Sequence, residues 1–178
     1  MIELLGQEEA TPSSYPDAPA GLSTAAAALD NAMIWARIEH YIAHRWGERE
    51  VVWVVKGDGD WLPPLTPCTV DTSERWDGDA YQSTTLDSAP VGFMLEGETY
   101  RVTATVGSTA TPPADVLEAY TRLAEYLAED TRMGRQVNSM SVNLTGAARY
   151  EVSRPEHWHG SALQLSGAAD LLRRYRRA

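Results

Sequence analysis

The chain has 178 residues, is 43% hydrophobic by composition and carries a net charge of −10. That length suits one domain of ordinary size, or one domain with appendages. A mean hydropathy of −0.35 excludes a membrane-embedded chain, and the apolar fraction excludes a disordered polymer.

In chain order, residues 6–23 bring Pro12, Pro16, Pro19, Gly6 and Gly21 without helical or strand periodicity, so a flexible lead over 1–23 is expected. Apolar residues at helical spacing then run from Ser23-Thr24 to Trp46, with Gly47 placed as a stop. Glu50–Lys56 holds five consecutive apolar residues, four of them valine, and predicts a strand. The proline-rich run Trp61–Pro67 predicts an extended segment. Short strands are expected at 68–71, 82–86 and 91–95. A hairpin is expected over 91–106, turning at Gly97-Glu98 with Gly97 at positive φ. Thr111-Pro112-Pro113 opens the clearest helix, whose apolar face is Val116, Ala119, Tyr120, Leu123, Ala124 and Leu127. Residues 136–150 read as a polar loop with short extended pieces. A short helix follows from Pro155 through Leu165, then a Ser166-Gly167 break, then a helical end over 168–175.

The strongest apolar run, Val51–Val55, is far below the ~20 residues that span a bilayer, so no membrane association is expected. The start, Met1-Ile-Glu-Leu-Leu, lacks the basic and apolar regions of a secretory signal, and Cys68 is the sole cysteine. Both point to a reducing, cytosolic setting.

Chemistry finds weak purchase in this sequence. His40 and His44 stand four apart on the first helix, where two imidazoles can share one metal. His157, His159 and Glu39 are the candidates to complete such a site. The spacing is not that of a zinc protease, and a hydrated helix face explains the pair more simply. Asp58, Asp60, Asp71, Asp77 and Asp79 lack the closing glutamate of a calcium loop, and aspartate beside glycine suits turns. No phosphate-binding loop, dinucleotide fingerprint or nucleophile elbow is present. The expectation is a non-enzyme without cofactor or metal. A small metal-dependent enzyme using His40 and His44 is the alternative.

Charge and aromatic usage point to interfaces. Residues 1–148 hold 9 basic and 22 acidic side chains, whereas residues 149–178 hold 6 basic and 3 acidic. Four of the last six residues are Arg173, Arg174, Arg176 and Arg177. A basic end on an acidic body is suited to docking on something negative: a protein, a neighbouring copy or nucleic acid. Six tryptophans (Trp35, Trp46, Trp53, Trp61, Trp76 and Trp158) and eight tyrosines against one phenylalanine read either as interface residues or as a tryptophan-rich core. The broad apolar stripe of 24–46 and the two-faced strand 51–55 exceed what one small domain covers. Trp46, Val52 and Val54 are therefore expected between subunits.

The order of segments resembles a known family. The helix ending in Ala36-Arg-Ile-Glu-His-Tyr-Ile-Ala-His-Arg-Trp is followed by Val51-Val-Trp-Val-Val and by Trp61-Leu-Pro-Pro-Leu-Thr-Pro. Tyr100-Arg-Val-Thr-Ala-Thr-Val-Gly then leads to the helix from Pro113, and the chain ends in Ser166-Gly-Ala-Ala-Asp-Leu-Leu-Arg-Arg-Tyr-Arg. Over residues 30–178 this resembles the head–tail connector (adaptor, head-completion) proteins of long-tailed phages and gene transfer agents. It departs from them in having a Pro/Ser/Thr-rich stretch where a short helix and an arginine-containing segment are common. The resemblance implies a virion protein at the head–tail interface, assembled in the host cytoplasm, forming a ring below the portal with the portal's twelvefold symmetry. It also implies a tail-side connector or stopper as a further partner, and DNA passing through the lumen without sequence specificity. Its C-terminal segment would dock on the portal through Leu171, Leu172, Arg173, Arg174, Tyr175, Arg176 and Arg177. The expected fold is α+β: a mainly helical body with two long helices, an inserted small antiparallel β module and a C-terminal helical tail. Its divisions are the lead 1–23, an adaptor domain 24–165 with the β module at about 50–106, and a docking tail 166–178. The tail by itself is expected to be mobile. A basic-tailed nucleic-acid binder is a third reading.

Overall fold

Segments rich in valine and threonine pair into an antiparallel sheet in this chain. The computed structural model describes residues 1–133, 139–144, 148–153 and 162–176, with side chains up to 129 and from 162. The strands of the main sheet are β1 (Glu3–Glu9), β2 (Arg49–Trp61), β3 (Cys68–Trp76), β4 (Tyr81–Thr84), β5 (Asp87–Ser88) and β6 (Phe93–Val106). Their order is β1-β2-β6-β3-β4, with β5 on β6, and every pairing is antiparallel. The expected mainly helical body with two long helices is therefore wrong. Six strands make this sheet, about 35% of the chain is strand, and the helices are mostly short.

The helices are α1 (Thr24–Ala27), α2 (Asn31–Tyr41), α3 (Ala114–Met133), α4 (Ala162–Leu165) and α5 (Ala168–Leu171), followed by a 3₁₀ turn over Arg173–Tyr175. The first long helix fails for two reasons, one local and one long-range. Asp30 caps α2, its carboxylate accepting from the Ala32 N–H at 3.0 Å, so the helical run restarts there. At its other end Ile42 is extended, and Ala43–Arg45 runs beside Thr66 through backbone bonds of 2.8 and 2.9 Å. Gly47 is then not a helix stop. A Cβ there would lie 2.6 Å from the Ser14 carbonyl oxygen and 2.8 Å from Pro12, so only glycine allows that approach. The expected hairpin over 91–106 is likewise replaced. Residues 93–106 form one continuous strand, because its first part pairs with Trp61–Asp58 and its second with Lys56–Arg49.

The chain divides into two compact units: residues 1–16 with 43–111, and residues 17–42 with 112–178. The first is the sheet. Val51, Trp53 and Val55 share its inner face with Leu95, Tyr100, Val102, Ala104 and Val106, closed by Trp61 and Leu65. The Trp53 and Trp61 rings are 5.8 Å apart, although eight residues of straight strand would separate their Cα atoms by ~26 Å. The strand must therefore bend, and it does so at a register shift between Lys56 and Asp58. Gly57 and Gly97, both at positive φ, sit at this bend on the paired strands. The first residues are not a free lead: β1 pairs with β2 from Glu3↔Lys56 to Glu9↔Val51.

The second unit is built on α3, whose buried residues up to 129 are Val116, Ala119, Tyr120, Leu123, Ala124, Leu127 and Ala128. Trp35 of α2 packs its ring 5.2 Å from that of Tyr120. Ser23 donates to Glu125 from both its N–H and its hydroxyl, at 2.6 and 2.8 Å, which fixes α1 on α3. In the region expected as a polar loop with short extended pieces, the extended pieces pair into a two-stranded hairpin, β7 (Ser139–Leu144) with β8 (Ala148–Ser153). Of the helix expected from Pro155, only 162–165 falls within the described residues and is helical.

Candidate functional site

The C-terminal segment begins at Gly167, whose positive φ of 74° turns the chain from α4 into α5. The expectation that the tail is mobile is overturned by its packing: Ala168 and Leu172 are 0% exposed, and α5 lies against α3. Leu171 and Tyr175 are half-buried, while Arg173, Arg174 and Arg176 are exposed; Arg177 lies outside the described residues. Asp115, in the first turn of α3, takes the Tyr175 hydroxyl at 3.1 Å and Arg174 Nη2 at 3.0 Å. Arg176 sits over the Tyr41 ring, 4.8 Å from its centre. Arg173 pairs with Asp170, both largely exposed, a contact worth little in water. Of the seven expected docking residues, Leu172 belongs to its own core. Arg173, Arg174 and Arg176 present a cationic edge.

The inter-subunit expectations divide in the same way. Trp46 is 3% exposed, its ring 4.5 Å from His44, and it offers no free surface. Val52 and Val54 alternate with the buried valines and face outward. They floor a trough of about 480 Å³ across the outer sheet face, walled by Gly6 and Glu8 of β1 and by Thr103, Arg101, Glu74 and Tyr81. Gly6 lies opposite Val54 and leaves the trough open there. Arg101 bonds Glu74 and lies 4.2 Å from the centre of the Tyr81 ring, which ties these three wall residues together.

A third cluster gave no sign in the sequence, since its members are 36 and 40 residues apart. Glu9 accepts from Arg45 Nε at 2.7 Å and from Arg49 Nη1 at 2.9 Å, where both arginine side chains are nearly buried. Beside it, Gln7 accepts from the indole N–H of the fully buried Trp53 at 2.9 Å. Burial alone would raise the Glu9 pKa, but the bonds and charges of Arg45 and then Arg49 outweigh it and hold the carboxyl below its ordinary 4.5. Burial first, and then Arg45, pushes His44 below its ordinary 6.5.

Both shifts make acid destabilising. The unfolded chain protonates His44 before the fold does, so stability falls as pH drops below about 6.5. The Glu9 contribution is present above about 4.5 and is lost as pH falls further. Denaturation midpoints measured from about pH 8 to about pH 3 should therefore decline in two stages. Glu9→Gln should lower stability by about 1–3 kcal/mol at neutral pH and flatten the lower stage while sparing the upper. An unaltered lower stage would remove Glu9 from this role.

The metal reading loses its geometry. α2 ends at Tyr41, so His44 is not on the helix with His40, and it bridges to Thr66 instead. Among the described residues no three histidine, cysteine or acidic side chains come together to hold a metal. His157 and His159 lie outside the described residues. Asp77 is explained by turn chemistry, accepting from the N–H groups of Asp79 and Ala80 at 2.9 Å. Trp35, Trp46, Trp53 and Trp61 are buried and Trp76 is partly exposed, which favours the core reading of the tryptophans; Trp158 lies outside the described residues.

No protein-family model and no curated protein matches this chain. Its fold is similar to that of a solved chain described as "Virion of native gene transfer agent (GTA) particle". The match has a TM-score of 0.51 and 15% sequence identity, and it covers 97% of this chain and 95% of the other.

Proposed function

We propose that the protein is a structural, non-enzymatic component of a gene-transfer-agent or phage-like virion, acting as the adaptor between the capsid portal and the tail. The observation that carries this reading is the fold shared, nearly end to end, with a chain of a gene transfer agent particle. The segment order that resembles the connector family supports the finer assignment. In this reading copies assemble in a ring below the portal, with its twelvefold symmetry, and meet a tail-side connector or stopper on the other side. The outer sheet face at Val52 and Val54 meets neighbouring copies. Arg173, Arg174, Arg176 and Arg177 meet carboxylates on the portal, where arginine forms well-directed ionic hydrogen bonds. The excess of acidic side chains suits a lumen through which DNA slides without adhering.

The experiment is electron microscopy of the protein mixed with the portal of the same particle. Rings on the tail-facing side of the portal are expected. Replacing the four arginines together by alanine should weaken portal binding by at least about tenfold with the circular dichroism unchanged. Particles whose portals carry no ring of this chain, or full binding by the four-arginine variant, would defeat the adaptor assignment or the docking assignment respectively.

A further inference from the structure

Residues 1–16 form an arm with an unusual position. They belong to the sheet unit, yet the chain continues from them into residues 17–42 of the helical unit before returning to the sheet at Ala43. None of the sixteen side chains is fully buried, and Leu4 and Leu5 are about half exposed. The arm is held by its ladder to β2, by Gln7 on Trp53, by Glu9 on Arg45 and Arg49, and by Tyr15 beneath the Arg49 guanidinium. Between the arm and α1, residues 17–23 hold no helix or strand and include Pro19 and Gly21.

We propose that this arm exchanges between copies of the chain, β1 of one copy adding to β2 of its neighbour. Every contact the arm makes within one chain is reproduced when it enters a second, so exchange alters no contact energy and is governed by the local concentration of copies. No fully buried side chain has to be withdrawn, because the arm holds none, and Ile2, which packs against the sheet's core, meets the same core in the second copy. The slot it leaves is selective. Two nearly buried guanidiniums require a carboxylate, and a buried indole N–H requires an acceptor two residues before it on the same strand face. The occupant that supplies glutamine and glutamate at that spacing is the arm of another copy. The inference concerns any assembly of copies and does not depend on the adaptor reading.

Cross-linking tests it. In a Cys68→Ser background, Glu8 and Val52 are register partners, so a chain carrying both Glu8→Cys and Val52→Cys should form an internal disulfide and establishes that the pairing is reactive. A Glu8→Cys chain and a Val52→Cys chain are then refolded together at high concentration and oxidised. The control replaces the Glu8→Cys chain by a Thr109→Cys chain, whose cysteine is exposed and lies outside the arm. The expected product is a disulfide-linked dimer of the Glu8→Cys and Val52→Cys chains, about tenfold above the background set by that control. Adding Glu9→Gln to the Glu8→Cys chain should reduce that product severalfold. A background level of mixed dimer, with the internal disulfide forming normally, would overturn the exchange. An undiminished yield with Glu9→Gln would overturn recognition of the arm through its carboxylate.

Discussion

Leu172→Ala is expected to destabilise the helical unit by about 2–5 kcal/mol, the range for emptying a fully buried leucine site. Leu172 is 0% exposed in the turn between α5 and the final 3₁₀ turn, and Ala168 and Ala169 are buried with it. Deleting residues 168–178 removes all three, together with the Tyr175 and Arg174 bonds to Asp115, and should leave the apolar side of α3 in water. The loss should appear as reduced helical circular dichroism and faster amide exchange along 114–129. Arg173→Ala, by contrast, removes an exposed pair and should change stability by less than about 0.5 kcal/mol. If the truncated chain keeps full protection along α3, the tail is not part of its core. This result also governs how portal binding is tested, because truncation would confuse a lost fold with a lost contact. Arginine substitutions avoid that confusion.

Trp53→Ala should be more damaging still to the sheet unit, at about 3–5 kcal/mol. The ring is 0% exposed and lies edge-on to Trp61 where the sheet bends upon itself, so its removal leaves a void inside the sheet's own core. Trp53→Phe preserves most of the volume but loses the bond to Gln7, and should cost about 1–2 kcal/mol. Denaturant unfolding followed by exchange of the β2 and β6 amides would separate the two variants. Equal losses would mean that the Gln7 bond, rather than packing, dominates at this position.

Much that was legible in the sequence was local. The face of α3 follows from a 3.6-residue apolar period, and each residue assigned to it is buried. The strand at 51–55 follows from consecutive β-branched residues, and the outward placement of Val52 and Val54 from their alternation with Val51, Trp53 and Val55. The break at Ser166-Gly167 follows from glycine chemistry, and Gly167 indeed takes a left-handed conformation. The virion reading rests on segment order, which a fold comparison supports only at the level of the fold.

The sequence alone determined the amphipathic helix, the valine strand, the positive φ of Gly97 and the basic character of the chain's end, because each depends on neighbours within one turn or a few residues. Tertiary structure decided the rest. Gly97 requires positive φ in a hairpin turn and in a bent strand alike; the pairing of 93–96 with 58–61 made it a bend. The apolar spacing through Trp46 is compatible with a helix, but Ala43–Arg45 binds Thr66 and the helix ends at Tyr41. Glu9 finds Arg45 and Arg49, and the tail finds α3, across separations that no local pattern records. Both the fold class and the state of the tail turned on such long-range pairings. Backbone hydrogen bonds and buried area accrue only once distant segments meet, so the same local propensities admit more than one fold until they do.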